Sequence, residues 1–136
     1  EALDTPRLVK ALDDLGPTQA PVSAKTPSMG IFLKPLPVIY LAIERTPAVD
    51  TMHQKLWDIV EPCAEEMHGL YNSARWIPHV TLAQGDLKEE QVPEAVDLLK
   101  NIEFPLNFTF NNLTLFHWIG PRFEPIERFP LTGQTK

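Results

Sequence analysis

The stretch Trp76-Ile-Pro-His-Val-Thr-Leu-Ala83 decides the fold of this 136-residue chain, because its alternating side chains predict a β-strand with two unlike faces. One face is wholly apolar and is expected to pack on the core: Trp76, Pro78, Val80 and Leu82. The other face carries His79 and Thr81, followed by the small Ala83, and we expect the two polar side chains about 7 Å apart. A short polar pair on an otherwise apolar strand is typical of a pocket floor.

His79 and Thr81 suit phosphoryl chemistry. A histidine titrates near neutral pH and can accept or give a proton. A threonine hydroxyl can donate a hydrogen bond to a phosphate oxygen that carries negative charge. His-x-Thr on its own is a weak pattern, and a structural histidine on a strand is the alternative that these residues leave open.

Composition and net charge argue against several classes of protein. The chain is 43% hydrophobic with a net charge of −6, which fits one modest core and argues against a basic groove for duplex nucleic acid. The single cysteine, Cys63, cannot form an internal disulfide, and no apolar run is long enough for a membrane span. We therefore expect a cytoplasmic protein that holds any nucleic-acid ligand at one end, in a compact pocket.

The remaining elements predict one α+β domain with antiparallel strands. Apolar spacing predicts helices, and β-branched and aromatic runs predict strands. The predicted elements are helices from Thr5, over Pro47–Val60 and over Glu89–Ile102, and strands over Pro37–Glu44, Leu106–His117 and Arg122–Pro130. The alternation within Leu106–His117 slips by one residue at Asn111-Asn112, which predicts a bulge there.

The two ends of the chain resemble each other. Pro21 precedes Phe32 by eleven residues, as Pro105 precedes Phe116, and this strand offset is 84 residues. A helix with an early proline precedes each unit, and a strand-like segment follows each. Two units of this size predict a pseudo-twofold architecture rather than a solenoid.

The motif strand resembles the second signature motif of the 2H phosphoesterase superfamily, which includes 2′-5′ RNA ligases and 2′,3′-cyclic phosphodiesterases. Met29–Glu44 resembles the segment that links the two lobes of that family. The helix from Pro47 and the terminal Arg128-Phe-Pro-Leu131 resemble its second lobe. The resemblance implies a two-lobed, pseudo-symmetric fold with antiparallel sheets and helices on the outside.

The same resemblance implies a metal-independent mechanism with two His-x-Thr motifs facing each other across a cleft. One histidine acts as the base on water, the other as the acid on the departing ribose oxygen, and both threonines hold the phosphate. The implied catalytic residues of this chain are His79 and Thr81, and no metal or other cofactor is expected. The implied ligand is a nucleotide or RNA terminus with a cyclic or 2′-5′ phosphate.

The chain departs from the family pattern because none of its other histidines has a threonine two residues later. Subtracting the repeat offset from position 79 places the partner motif a few residues before Glu1. We therefore expect that the first lobe is truncated here, that the parent protein carries His-x-Thr upstream, and that this chain alone hydrolyses little.

Four further residues are candidates for substrate binding. Phe32 and Tyr40 are expected near the motif, where each can stack on a base or ribose or serve as a core aromatic. His117 and Arg122 occupy the matching place in the second lobe. Arg122 can offset phosphate charge or remain a solvated loop residue.

Three hypotheses remain at this point: a 2H-class enzyme, a binding module that holds phosphate or RNA termini without turnover, and a scaffold. We expect a monomer that does not bind membranes, with a single two-lobed domain over residues 1–136. Its motif-bearing second lobe is predicted at about 37–118, and the assignment of 1–36 and 120–136 to lobes is left open.

Overall fold

The computed structural model describes residues 3–135 as a chain of three helices and seven strands. The helices are α1 (Thr5–Leu15), α2 (Pro47–Val60) and α3 (Val92–Leu99). The strands are β1 (Val22–Thr26), β2 (Ser28–Phe32), β3 (Val38–Ala42), β4 (His79–Gln84), β5 (Leu106–Phe110), β6 (Asn112–Trp118) and β7 (Phe123–Pro130). No helix within residues 3–135 has the length and apolar content needed to cross a membrane.

Side chains that precede the first two helices satisfy their free backbone N–H groups. The Asp4 carboxylate accepts a hydrogen bond from the Arg7 backbone N–H at 3.1 Å, and the Thr46 hydroxyl accepts one from the Val49 N–H at 3.3 Å. Each helix has a proline in its first turn, where the missing N–H costs nothing. These signals explain why α1 and α2 begin where the sequence predicts.

The strands form three antiparallel sheets in the orders β1-β5, β2-β3-β4 and β6-β7. The predicted α+β fold with antiparallel sheets is confirmed. The motif-bearing sheet draws its strands from residues 28–42 and 79–84, while residues 112–130 form a separate sheet. The lobe boundaries given above stay a prediction.

The internal repeat has a structural counterpart in the pairing of β1 with β5. The first residues of β1 and β5 are 84 residues apart, and so are the first residues of β2 and β6. At the centre of the β1–β5 pair, Ala24 lies opposite Phe108. The 84-residue offset of the repeat also makes Phe108 the equivalent of Ala24. A pseudo-twofold axis therefore passes between these two residues. By the same relation β3 corresponds to β7.

The core lies where α1 and α2 pack against the sheets. One buried cluster joins Val22 and Ala24 of β1 to Val49 and Met52 of α2. A second joins α1 to β7 and the turn after α2, and its buried members are Leu8, Leu12, Cys63 and Phe129. Burying these apolar side chains fixes α2 beside the segment that leads into β4.

Two elements differ from the sequence prediction. The motif strand begins at His79 rather than Trp76, because Pro78 lacks an N–H and the Trp76 N–H is used in a turn, bonding to the Asn72 carbonyl at 3.0 Å. The predicted strand over Leu106–His117 is two strands, since the chain changes sheets at Asn111. The slip in the alternation marks this change of sheet.

The apolar face of the motif strand is also less buried than expected. Val80 is 40% exposed and Leu82 is 41% exposed. The physical reason is that β4 lies at the edge of its sheet, outside the two buried clusters, neither of which contains a β4 residue.

Candidate functional site

The site is built on one face of the sheet β2-β3-β4. Across an antiparallel pair, residues in register project to the same face. His79 lies opposite Ala42 and Thr81 lies opposite Tyr40, which in turn lies opposite Gly30 of β2. His79, Thr81 and Tyr40 therefore share a face, as the alternation of the motif predicts for the first two.

An irregularity in β4 changes which residue comes next on this face. The register between β3 and β4 shifts after the Tyr40–Thr81 pair, so that Ile39 lies opposite Ala83 and Val38 lies opposite Gln84. Leu82 is the extra residue, and the bulge moves Ala83 to the buried side. The expectation that Ala83 shares a face with the motif is therefore wrong, and Gln84 takes that place.

A cavity of about 470 Å³ opens above this face, within the size range of small-molecule sites. His79, Thr81 and Gln84 form its floor. The loop after β2 forms one wall and the segment before β4 forms the other. The wall residues are Phe32, Lys34, Pro35, Leu36 and Val38 on one side and Leu70, Tyr71, Arg75 and Ile77 on the other.

The His79 ring is oriented by a contact to its own backbone. Its Nδ1 lies 2.6 Å from the carbonyl oxygen of Ile77. A carbonyl can only accept, so Nδ1 carries the proton, and the neutral ring keeps Nε2 as an acceptor. This arrangement provides a base at Nε2, or an acid once Nε2 is protonated.

Two aromatic rings from the other strands of the same sheet, Phe32 of β2 and Tyr40 of β3, contact His79. Phe32 and Tyr40 stack on each other at 4.3 Å between ring centroids. Both present edge contacts to the imidazole, at 5.5 Å for Phe32 and 5.4 Å for Tyr40. The structure thus brings the sequence candidates Phe32 and Tyr40 to the motif, where both rings contact His79 and the half-buried Phe32 also lines the cavity.

The structure does not bring the other two candidates to this cavity. His117 lies on β6, opposite Glu124 of β7, and Arg122 lies in the turn between these strands. The Arg122 guanidinium pairs with the Glu124 carboxylate at 2.6 Å. The role of His117 and Arg122 in ligand binding stays a prediction, because the β6–β7 hairpin forms a separate sheet and neither residue lines the cavity at His79.

The charge of the cavity opposes the charge of the whole chain. Lys34 and Arg75 line it, and no aspartate or glutamate among residues 3–135 does, although the chain has a net charge of −6. The four ion pairs formed within the described part of the chain use other cations. Opposite charge favours anionic ligands in such a pocket.

Sequence reasoning did not single out Lys34, Tyr71, Arg75 or Gln84. Gln84 needs the β4 bulge, which the strand pattern does not encode. Tyr71 and Arg75 belong to an irregular loop whose path no periodicity predicts. Arg75 lies four residues before His79 in the sequence. No helix or strand pattern there predicts that its side chain points toward the motif.

Two other histidines, His53 and His68, make contacts that support the fold. His53 stacks on Trp76 at 3.8 Å between ring centroids. His68 Nδ1 accepts a hydrogen bond from the Leu70 N–H at 3.2 Å, at the start of a 3₁₀ turn. Within residues 3–135, no group of three His, Cys, Asp or Glu side chains is arranged to hold a metal ion.

Comparisons with known proteins agree with the architecture. Residues 1–122 match the family described as the 2′-5′ RNA ligase superfamily. Among solved structures, TT0787 of Thermus thermophilus aligns with a TM-score of 0.53 and 16% identity, over 96% of this chain and 71% of that one. At this identity the alignment supports the fold alone. No curated protein matches the sequence.

Proposed function

The chain belongs to the 2′-5′ RNA ligase superfamily, and on that premise we propose that His79 and Thr81 form one half of a metal-independent phosphodiesterase centre. Its substrates are 2′,3′-cyclic or 2′-5′-linked phosphates at RNA ends or on nucleotides. The observation that carries this proposal is the oriented imidazole of His79, held at Nδ1 by the Ile77 carbonyl at the floor of a cavity that it shares with Thr81.

His79 supplies one of the two proton transfers that hydrolysis requires. A water oxygen forms a bond to phosphorus, and the bond from phosphorus to one ribose oxygen breaks. One imidazole takes the proton of the water, and a second imidazole gives a proton to the departing ribose oxygen. Nε2 of His79 is suited to either transfer, because Nδ1 is already engaged.

Thr81 and the basic wall residues bind the anionic part of the substrate. The Thr81 hydroxyl donates to a non-bridging phosphate oxygen, which carries more charge as water attacks. Lys34 and Arg75 complement the remaining negative charge, and the Phe32 ring offers a surface for a base. A cavity of about 470 Å³ has room for one nucleotide rather than a duplex.

The second histidine is proposed to lie upstream of this sequence, in a second His-x-Thr motif. The repeat relates β3 to β7, and β4 occupies the edge of β3 opposite β2. Among residues 3–135, no strand occupies the corresponding edge of β7. We propose that the upstream motif strand pairs at that edge, which places the two motifs in symmetry-related positions.

A binding module is the second candidate function. It is favoured by the single His-x-Thr motif of this sequence together with the structural roles of His53 and His68. Losing one proton-transfer group typically lowers a rate by about 10²- to 10⁴-fold. This chain alone is then expected to bind cyclic phosphates and to hydrolyse them poorly.

The test compares this chain with a version extended upstream in the parent gene. Both are incubated with a 2′,3′-cyclic nucleotide, and hydrolysis is followed by ³¹P NMR. We expect turnover from the extended protein, loss of that turnover in His79→Gln, and little turnover from residues 1–136. Equal and robust turnover by both proteins would refute the two-motif account.

Binding is tested separately by titrating the same nucleotide into ¹⁵N-labelled protein. We expect shift changes at His79 that are reduced in Thr81→Ala and retained in Thr109→Ala, a matched change of an exposed strand threonine on β5. Binding without turnover by the extended protein would support the binding module. Absence of both would leave the scaffold hypothesis.

A further inference from the structure

Three consecutive backbone carbonyls precede the motif histidine, and each accepts a hydrogen bond. The Trp76 carbonyl accepts from Nη1 of Arg45 at 3.4 Å. The Ile77 carbonyl accepts from His79 Nδ1 at 2.6 Å, and the Pro78 carbonyl accepts from the Ile43 N–H at 3.1 Å. The carbonyl that orients the His79 ring is therefore held between two anchored neighbours.

Arg45 provides the anchor on the exposed side. Its Nε pairs with the Asp50 carboxylate at 2.8 Å, and its Nη2 donates to the Ser73 carbonyl at 2.7 Å. The guanidinium carbon also lies 5.4 Å from the centre of the Trp76 indole. One planar guanidinium thus joins the first turn of α2 to both ends of the Ser73–Trp76 turn, which a lysine ammonium cannot do with the same geometry.

Helix α2 reinforces the same turn through two more contacts. The His53 ring stacks on the Trp76 indole with 17° between the ring planes, and the Ser73 hydroxyl bonds to Gln54. Residues on either side of this turn, Tyr71 and Ile77, line the cavity. The position of the cavity wall therefore depends on contacts that lie behind it.

We propose that Arg45 is a positioning residue for His79: by holding the Trp76 carbonyl and indole, it keeps the Ile77 carbonyl in line with Nδ1 and so keeps the ring in the Nδ1–H tautomer. Without the guanidinium, the turn relaxes and His79 also adopts the Nε2–H tautomer, which cannot accept a proton from water at Nε2. The effect on turnover rests on the proposed function, whereas the effect on the tautomer does not.

The tautomer is measured directly from the ¹⁵N shifts of the two ring nitrogens of His79, at a pH where the ring is neutral. We expect a single Nδ1–H form in the unmodified chain and a mixture of both forms in Arg45→Gln. Arg45→Lys retains the positive charge beside Asp50 but lacks the planar guanidinium that bonds both carbonyls, so it should also give a mixture. Asp50→Asn removes the ion pair and leaves both carbonyl bonds, so it should retain the single form.

Arg7→Gln is the matched control. Arg7 likewise donates to a backbone carbonyl, that of Pro62 at 2.9 Å, but between α1 and the turn after α2. Its substitution should leave the His79 tautomer unchanged. An unchanged tautomer in both Arg45 variants would overturn the proposal, as would an equal change in Arg7→Gln, which would indicate general loosening of the fold.

Kinetics of the upstream-extended protein separate positioning from substrate binding. Arg45→Gln is expected to lower kcat about tenfold, because His79 is less often in the reactive tautomer. KM should stay within about twofold, because Arg45 does not line the cavity. A rise in KM with unchanged kcat would overturn the positioning role. If no variant hydrolyses cyclic phosphates but the tautomer still changes in Arg45→Gln, the proposed function fails and the role of Arg45 in orienting His79 stands.

Discussion

The phenol ring of Tyr40 lies over Gly30, its partner across the β2–β3 pair. A Cβ added at position 30 would overlap the ring. The missing side chain lets Tyr40 lie across the strand, where it stacks on Phe32 and contacts the edge of His79. The aromatic environment of the motif histidine therefore depends on a glycine two strands away.

Gly30→Ala is expected to displace the Tyr40 ring and to destabilise the fold by about 1–3 kcal/mol, the usual range for overpacking a filled site. Because ring currents from Phe32 and Tyr40 act on the imidazole, the His79 ring protons should also shift. Chemical denaturation and ¹H NMR measure the two effects.

Gly69→Ala is the control for this substitution, since no atom of the described residues lies within 4 Å of a Cβ at position 69. It should cost little stability. Similar losses in the two variants, or His79 resonances that do not move in Gly30→Ala, would contradict the proposed dependence.

The cations of the cavity are expected to contribute to affinity for anions. Lys34→Gln and Arg75→Gln should each weaken binding of a cyclic nucleotide by about 3- to 10-fold, which corresponds to ~1 kcal/mol for exposed charges. Calorimetry at low and high salt should show that the difference shrinks as screening increases. Lys100→Gln, whose side chain pairs with Asp97 on α3, should bind normally. No loss in either cavity variant would remove these residues from the site.

The Phe32 ring is expected to stack on the base of a bound nucleotide. Phe32→Ala should lower affinity at least about fivefold, since base stacking contributes about 1–3 kcal/mol. In the chain of residues 1–136, Phe123→Ala removes an exposed ring that does not line the cavity, and it should have no effect. A ribose cyclic phosphate without a base discriminates further, because its binding should be insensitive to Phe32→Ala. Equal losses for both ligands would indicate that Phe32 only supports His79.

The sequence predicted the parts of the fold that follow from local periodicity. The helices from Thr5 and over Pro47–Val60 follow from apolar spacing, and the pairing of β1 with β5 agrees with the 84-residue repeat. The common face of His79 and Thr81 follows from strand alternation. These features depend on neighbours in the chain, which the sequence displays directly.

The missed features depend on contacts between distant segments. The bulge at Leu82 arises from pairing with β3, and it exchanges Ala83 for Gln84 on the site face. The anchoring of the Ser73–Trp76 turn arises from Arg45, 28 residues before Ser73. The roles of His117 and Arg122 stay predictions, because the order of sheets, not the strand pattern, decides which residues meet, and these two lie in the separate β6–β7 hairpin.

His53 is expected to make stability depend on pH. Burial is the largest effect and lowers the pKa of His53; the Tyr71 carbonyl raises it by less, the Arg45 charge lowers it further, and the Asp50 charge has the smallest, raising effect. The unfolded chain then binds a proton at a higher pH than the folded protein does. The contribution of His53 to stability is therefore complete above the unfolded pKa, near 6.5, and is progressively lost as the pH falls below it.

His53→Phe keeps an aromatic ring against Trp76 and removes the titration. Its free energy of unfolding should fall less than that of the unmodified protein between pH 7.5 and 5.5, measured by urea denaturation in the same buffers. Carboxylates titrate in both proteins, so the difference between the two curves isolates His53. Protonated His53 would also place a second cation beside Arg45 and Trp76. The loss of stability at low pH should therefore be accompanied by weaker hydrogen-exchange protection of the Trp76 backbone N–H. Parallel curves for the two proteins would show that His53 titrates alike in the folded and unfolded states.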